Sequence, residues 1–142
     1  GFEMALPAEH NEFSYYGYGP QESYCDMHHG GAVGLYESNA EAEYVNYVRP
    51  QEHGNHTDVK ELRIGCLRFA SDTGFECRVS QYSTETLFRA EHTDELVKDG
   101  KTHLRIDYKV SGIGSNSCGP ELEKQYRLDE KEIHFSFSIC KA

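Results

Sequence analysis

The chain has 142 residues, 24 acidic side chains against 14 basic ones, and a formal net charge of -10 with its eight histidines neutral. That is the length of one domain, 1–142, and an acidic balance without a basic stripe excludes nucleic acid and an anionic membrane surface as partners. No apolar run approaches the roughly 20 residues that span a bilayer, and no charged leader with an apolar core opens the sequence, so a soluble cytoplasmic protein is expected.

The first predicted element is a strand from Phe13 to Tyr18, interrupted by Gly17, where a bulge or a close backbone approach is expected. From Pro20 to Pro50 no period is sustained, and the segment reads as a long excursion with one short helix near Asn39 to Glu43. Leu62 to Phe69 forms a second predicted strand, broken at Gly65. In Phe75, Cys77 and Val79 an apolar face alternates with Glu76, Arg78 and Ser80, the period of a strand with one buried side. Ser83 is placed to cap a short helix running to Glu91 that Leu87 and Phe88 dock, and Thr93 to cap a turn through Val97. Two further strands follow, Leu104 to Val110 and Ile133 to Cys140, both strictly alternating. Short strands, glycine-rich turns and few helices predict an all-β fold, an antiparallel β-sandwich with one or two short helices.

Leucine, isoleucine, valine and phenylalanine together number 28 of 142, a thin core for a self-sufficient domain. Together with the absence of a starting methionine, this leads us to expect a piece of a larger protein. Five cysteines, Cys25, Cys66, Cys77, Cys118 and Cys140, contain no C-x-x-C pair, which favours reduced thiols over a disulfide framework or a zinc knuckle. The Asn55-His56-Thr57 sequon is a pattern that arises often by chance.

No nucleophile elbow, P-loop, dinucleotide fingerprint or H-E-x-x-H helix is present. His53, His56 and Asp58, with His28 and His29 elsewhere, are the best metal candidates. Their spacing is loose and turn histidines are more often hydrogen-bonding groups, so no metal site is expected. Glu22 with Asp26, or Glu52 with Asp58, are the carboxylate pairs that glycoside hydrolysis would need, but among 24 acids such pairs are expected by chance. More information lies in two glycine-bearing turns, Gly17 to Asp26 and Gly112 to Pro120. Each joins flexible glycines to a rigid proline and to short polar side chains that bond backbone or a hydroxylated ligand.

The turn Gly17-Tyr18-Gly19-Pro20-Gln21-Glu22-Ser23-Tyr24-Cys25-Asp26 resembles the G-x-G-P-x-E-x-Y-x-D segment of the C-terminal small-chain domain of β-galactosidases in glycoside hydrolase family 2. In the same order, Tyr47 to Val59, with Pro50, Glu52, Gly54 and Asp58, resembles the family's Y-x-x-P-Q-E-N-G-x-R-x-D-V stretch. Tyr82-Ser83 opens its short helix, and Gly112 to Pro120, with Gly114, resembles its G-I-G-x-D-S-W-x-P loop. The resemblance implies the C-terminal part of a galactose mutarotase-like supersandwich. It further implies that the catalytic glutamates, with the parent's magnesium and sodium, lie in a (β/α)₈ barrel outside this chain, which is therefore expected to be noncatalytic and without cofactors of its own.

The implied partners are the remaining domains of the parent, above all its barrel, with a galactoside at the rim; a homo-oligomer is also open. The implied contribution to substrate binding is the Gly112 to Pro120 loop, which in the family presents a tryptophan to the aglycone sugar. Here Cys118 stands at that position, so Asn116, Ser117 and Cys118 are the expected substrate-binding residues and weaker aglycone binding is expected. His56 stands where the family commonly has arginine, with Lys60 in place of a second one; if that arginine makes an ion pair between domains, histidine would make it weaker and pH-dependent. Glu22, Asp26, Glu52 and Asp58 are read as structural acids. The reading from another class is an independent carbohydrate-binding β-sandwich module.

Overall fold

A computed structural model describes residues 1–114 and 121–142. Seven strands form one antiparallel sheet: β1 (Phe2–Pro7), β2 (Glu12–Gly19), β3 (Ala32–Asn39), β4 (Asn55–Ile64), β5 (Leu67–Ser80), β6 (Lys101–Asp107) and β7 (Ser138–Lys141). Their order is β1-β6-β5-β4-β2-β3, with β7 added beside β5. A single α-helix, α1 (Thr84–Arg89), and two 3-10 turns at Thr93–Glu95 and Lys124–Tyr126 complete the described elements. The fold is thus all-β and sandwich-like.

The long strand β5 organises the sheet because its two halves have different neighbours. Leu67 to Ala70 pair with β7, and Glu76 to Ser80 pair with β6, while β4 runs beside both. Phe75, Cys77 and Val79 face the same side as Leu104 and Ile106 of β6 and Val59, Leu62 and Ile64 of β4, and all eight are buried. Tyr15 and Phe13 of β2 extend this core. Residues 133–137 do not join the ladder, so the strand expected from Ile133 is shortened to β7. Its period survives as packing: Phe137 meets Phe2, Phe69 and Phe75 at ring separations of 5.7, 6.3 and 6.4 Å, covering the core face as a second layer.

Several sequence expectations need correction. The break at Gly65 is a hairpin, because Ile64 pairs with Leu67 and leaves Gly65-Cys66 as a two-residue turn with Gly65 at φ 55°. Within the supposed excursion, Ala32–Asn39 forms edge strand β3. Residues 40–43 make a turn rather than a helix, the Asn39 side chain accepting from the amides of Glu41 and Ala42. The helix cap is as expected, since Ser83 Oγ accepts from Thr86 N at 3.1 Å. Leu87 docks α1, but Phe88 is 82% exposed, and the cap position of the Thr93–Glu95 turn is His92 rather than Thr93, with no side-chain cap bond.

Strand β2 runs uninterrupted through Gly17, which therefore marks a close approach and not a bulge. A Cβ there would lie 2.8 Å from Val59 Cγ2 and 3.0 Å from Val59 Cα. Both atoms belong to a fully buried residue that has no room to yield. Gly17→Ala is expected to lower stability by about 1–3 kcal/mol, read as a lower urea midpoint with an unchanged slope.

Candidate functional site

The first glycine-bearing turn, residues 112–114 at the root of the second, and the Tyr47 to Val59 stretch converge at one end of the sheet, over the face of β5 and β6 opposite the core. Ser23 is stitched to β4: its amide donates to Asn55 O at 2.6 Å, and its hydroxyl accepts from Thr57 N at 2.9 Å. Glu22 is the hub of the turn. Its carboxylate accepts from Gly54 N at 2.8 Å, from the Tyr47 hydroxyl at 2.5 Å and from the Tyr24 hydroxyl at 3.2 Å. Burial first, and the Glu22 carboxylate second, push both phenols well above their ordinary range.

Asp26 ties this turn to the other one. Its two carboxylate oxygens accept from the backbone amides of Ile113 at 2.9 Å and Gly114 at 3.0 Å. Gly112 is needed for that approach, since a Cβ there would fall 2.6 Å from Asp26 Cγ. The two motifs are therefore one construction, a carboxylate clamp on the root of the second turn. Asn116, Ser117 and Cys118, the expected substrate-binding residues, lie outside the described residues.

The remaining motif residues have separate places. Gly19 precedes a cis peptide bond to Pro20 and lies against the rings of Tyr15 and Tyr36. Pro50 is buried. Gly54 has φ 71° and turns the chain against the Glu43 carbonyl. Asp58 sits at φ 54° in the bulge where the β4–β5 register shifts, its side chain exposed. Glu52 meets Arg105 Nη1 at 3.0 Å and Arg78 Nη1 at 3.5 Å.

The metal candidates are not brought together. His53 bonds the Gln51 carbonyl, and burial lowers its pKa. His28 bonds the Tyr24 carbonyl and stacks on His29. His56 is fully buried against the Tyr15 ring, with Nε2 2.9 Å from Glu43 and Nδ1 3.2 Å from the Tyr18 carbonyl. Its acidic partner is thus internal, which corrects the expectation of an interdomain contact. Lys60 is likewise spent on the Asp72 carbonyl. Among the described residues no three His, Cys, Asp or Glu side chains converge as a metal site, and no helix is long and apolar enough to cross a membrane.

The sequence reading missed a buried polar layer on the far face of β5 and β6. Glu76 accepts from Asn55 Nδ2 at 2.7 Å and Val110 N at 3.2 Å, and burial pushes its carboxyl up to about 7. Arg78 donates to Thr84 Oγ1 at 2.7 Å, and Arg105 pairs with Asp107 at 2.8 Å. The signal was the same in both strands: alternate positions of β5 and β6, Glu76 with Arg78 and Arg105 with Asp107, put an acid and an arginine on the side taken to face solvent. Above this layer lies a cleft of about 1100 Å³ between α1, the Arg49 to Glu52 segment and Val110 to Ile113.

A family model described as "Beta galactosidase small chain" matches residues 1–139. The chain is 41% identical over 139 residues to a protein named beta-galactosidase from Actinobacillus pleuropneumoniae, covering 98% of this chain and 14% of that protein. Identity is 37% over 143 residues to the beta-galactosidase of Staphylococcus xylosus, with the same two coverages. To that of Kluyveromyces lactis it is 36% over 147 residues, 99% of this chain and 14% of the relative. The chain therefore spans about one seventh of the length of the curated relatives it matches.

Proposed function

The chain belongs to the β-galactosidase small-chain family, and from that premise we propose that it is the noncatalytic C-terminal domain of a β-galactosidase. The parent would be a cytoplasmic bacterial enzyme of glycoside hydrolase family 2 that hydrolyses terminal β-D-galactosides such as lactose with retention. In that reading the domain packs on the catalytic barrel and shapes the aglycone subsite from its rim. The acid/base and nucleophile glutamates, and the magnesium and sodium, belong to the barrel. A retaining mechanism needs two carboxyls about 5–5.5 Å apart across the sugar. Glu22 and Asp26 are engaged instead by backbone and phenol donors, and Glu52 by two arginines.

The observation that carries the reading is the Asp26 clamp. A segment resembling the loop that reaches the barrel mouth is fixed at its root by two charge-assisted bonds, as a positioning element requires. Asn116, Ser117 and Cys118 would then offer small polar contacts to the aglycone where the family presents a tryptophan.

The test is hydrolysis of a chromogenic β-galactoside by this chain alone, by the rest of the parent polypeptide, and by the two mixed. No turnover from the chain alone and turnover only on mixing is expected. Turnover by the chain alone would make its own carboxylates catalytic and overturn the assignment.

A further inference from the structure

Two independent features mark the cleft between α1 and the Val110 to Ile113 segment. On its rim stands Phe88, 82% exposed, beside Leu87, which is buried at 1%. A short helix that docks one apolar side chain and holds the next, larger one in water leaves an aromatic anchor without a socket. Pro50, Val110 and Ile113 line the same cleft and add apolar surface to it.

The second feature lies beneath Thr84 and Glu52 of the lining. Arg78 is 5% exposed, and its Nε and Nη1 have no hydrogen-bond partner among the described residues. Among the described residues its one ion pair is with Glu52, 3.5 Å away and 46% exposed, which also serves Arg105. A buried guanidinium with two unmet donors is rare in a finished interior. Thr84 and Glu52, its two neighbours, both line the cleft. Covering the cleft would remove water from around Glu52 and strengthen its hold on Arg78.

We infer that this cleft is the docking seat for a segment of the parent β-galactosidase outside this chain, one that presents an apolar side chain to Phe88 and covers Thr84 and Glu52 above the buried Arg78. The inference rests on the reading of the chain as one domain of a larger enzyme. That reading supplies the occupant: the matched relatives carry some six sevenths of their length beyond the region that aligns with this chain.

The experiment is maleimide labelling of Phe88→Cys, followed by peptide mass spectrometry to separate it from the native cysteines, in the isolated chain and in the full parent polypeptide. Labelling at least tenfold slower in the parent is expected, with a rate in the isolated chain that does not change with protein concentration. Equal rates would overturn the inference. Slowing of the isolated chain with its own concentration would assign the cleft to a second copy, and slowing by added galactoside would assign it to sugar; either result overturns it as well. If the substitution impairs folding, hydrogen exchange of the α1 amides in the unsubstituted proteins gives the same comparison. Equal labelling together with activity on mixing would defeat the docking assignment alone, whereas no activity on mixing would defeat the parent reading.

Discussion

Glu22→Ala is expected to destabilise the chain by about 3 kcal/mol. The substitution strands three donors at once, the Gly54 amide and the hydroxyls of Tyr47 and Tyr24. Each unsatisfied group costs about 1–3 kcal/mol when water cannot replace the partner. Tyr24 is buried, whereas Glu22 and Tyr47 are only half-buried, so solvent recovers part of the sum. Glu22→Gln keeps one acceptor oxygen but offers an amide to the phenol that formerly donated, and is expected to lose about half as much. Urea unfolding checks both. In the full parent enzyme, turnover per folded molecule should stay within a few-fold of wild type for Glu22→Gln. A hundredfold loss with unchanged unfolding would make Glu22 a catalytic group and not the hub of a turn.

The parts of the fold that were legible in the sequence share one property, a core face set by buried apolar side chains. Strand β2, the second half of β5 and the Ser83-capped helix are of this kind. Strand β3 was hidden because the residues on its inward side are Gly34, Tyr36 and Ser38, while Val33 and Leu35 point outward. Its period is that of a strand with the usual signs reversed. Strand β4 was hidden by the bulge at Asp58, which shifts the alternation midway, and by a first half buried on both faces.

At the site, sequence motifs identified the two turns but not their connection. That Asp26 reaches Ile113 and Gly114 across 87 and 88 residues is a tertiary fact no local period encodes. The polar layer was lost for a related reason. Glu76, Arg78, Arg105 and Asp107 look solvent-facing by alternation, and only the covering turns reveal that Glu76, Arg78 and Asp107 are less than a tenth exposed.

That layer gives the second large prediction, a pH-dependent gain from Glu76→Gln. In the folded chain the Glu76 carboxyl titrates at about 7 against an ordinary 4.5, because burial disfavours its charge more than Asn55 and Val110 favour it; Asp107 and Asp58 add to the rise. The unfolded chain releases this proton near 4.5. Between 4.5 and 7 the folded state therefore holds more proton than the unfolded state, and stability is lost as pH rises. Above about 7 the loss is complete, on the order of 3 kcal/mol for a 2.5-unit displacement. Both donors reach the same oxygen, Oε2, so a glutamine carbonyl can accept both without carrying charge. Glu76→Gln should thus be close to neutral at pH 4.5 and more stable than wild type by up to about 3 kcal/mol at pH 8, with the difference opening across that interval. Denaturant unfolding of both proteins over the same pH series removes the contribution of the other carboxylates, which titrate alike in each. A difference that is flat with pH would mean that Glu76 is ionised throughout, and that water reaches β5 beneath the Val110 segment.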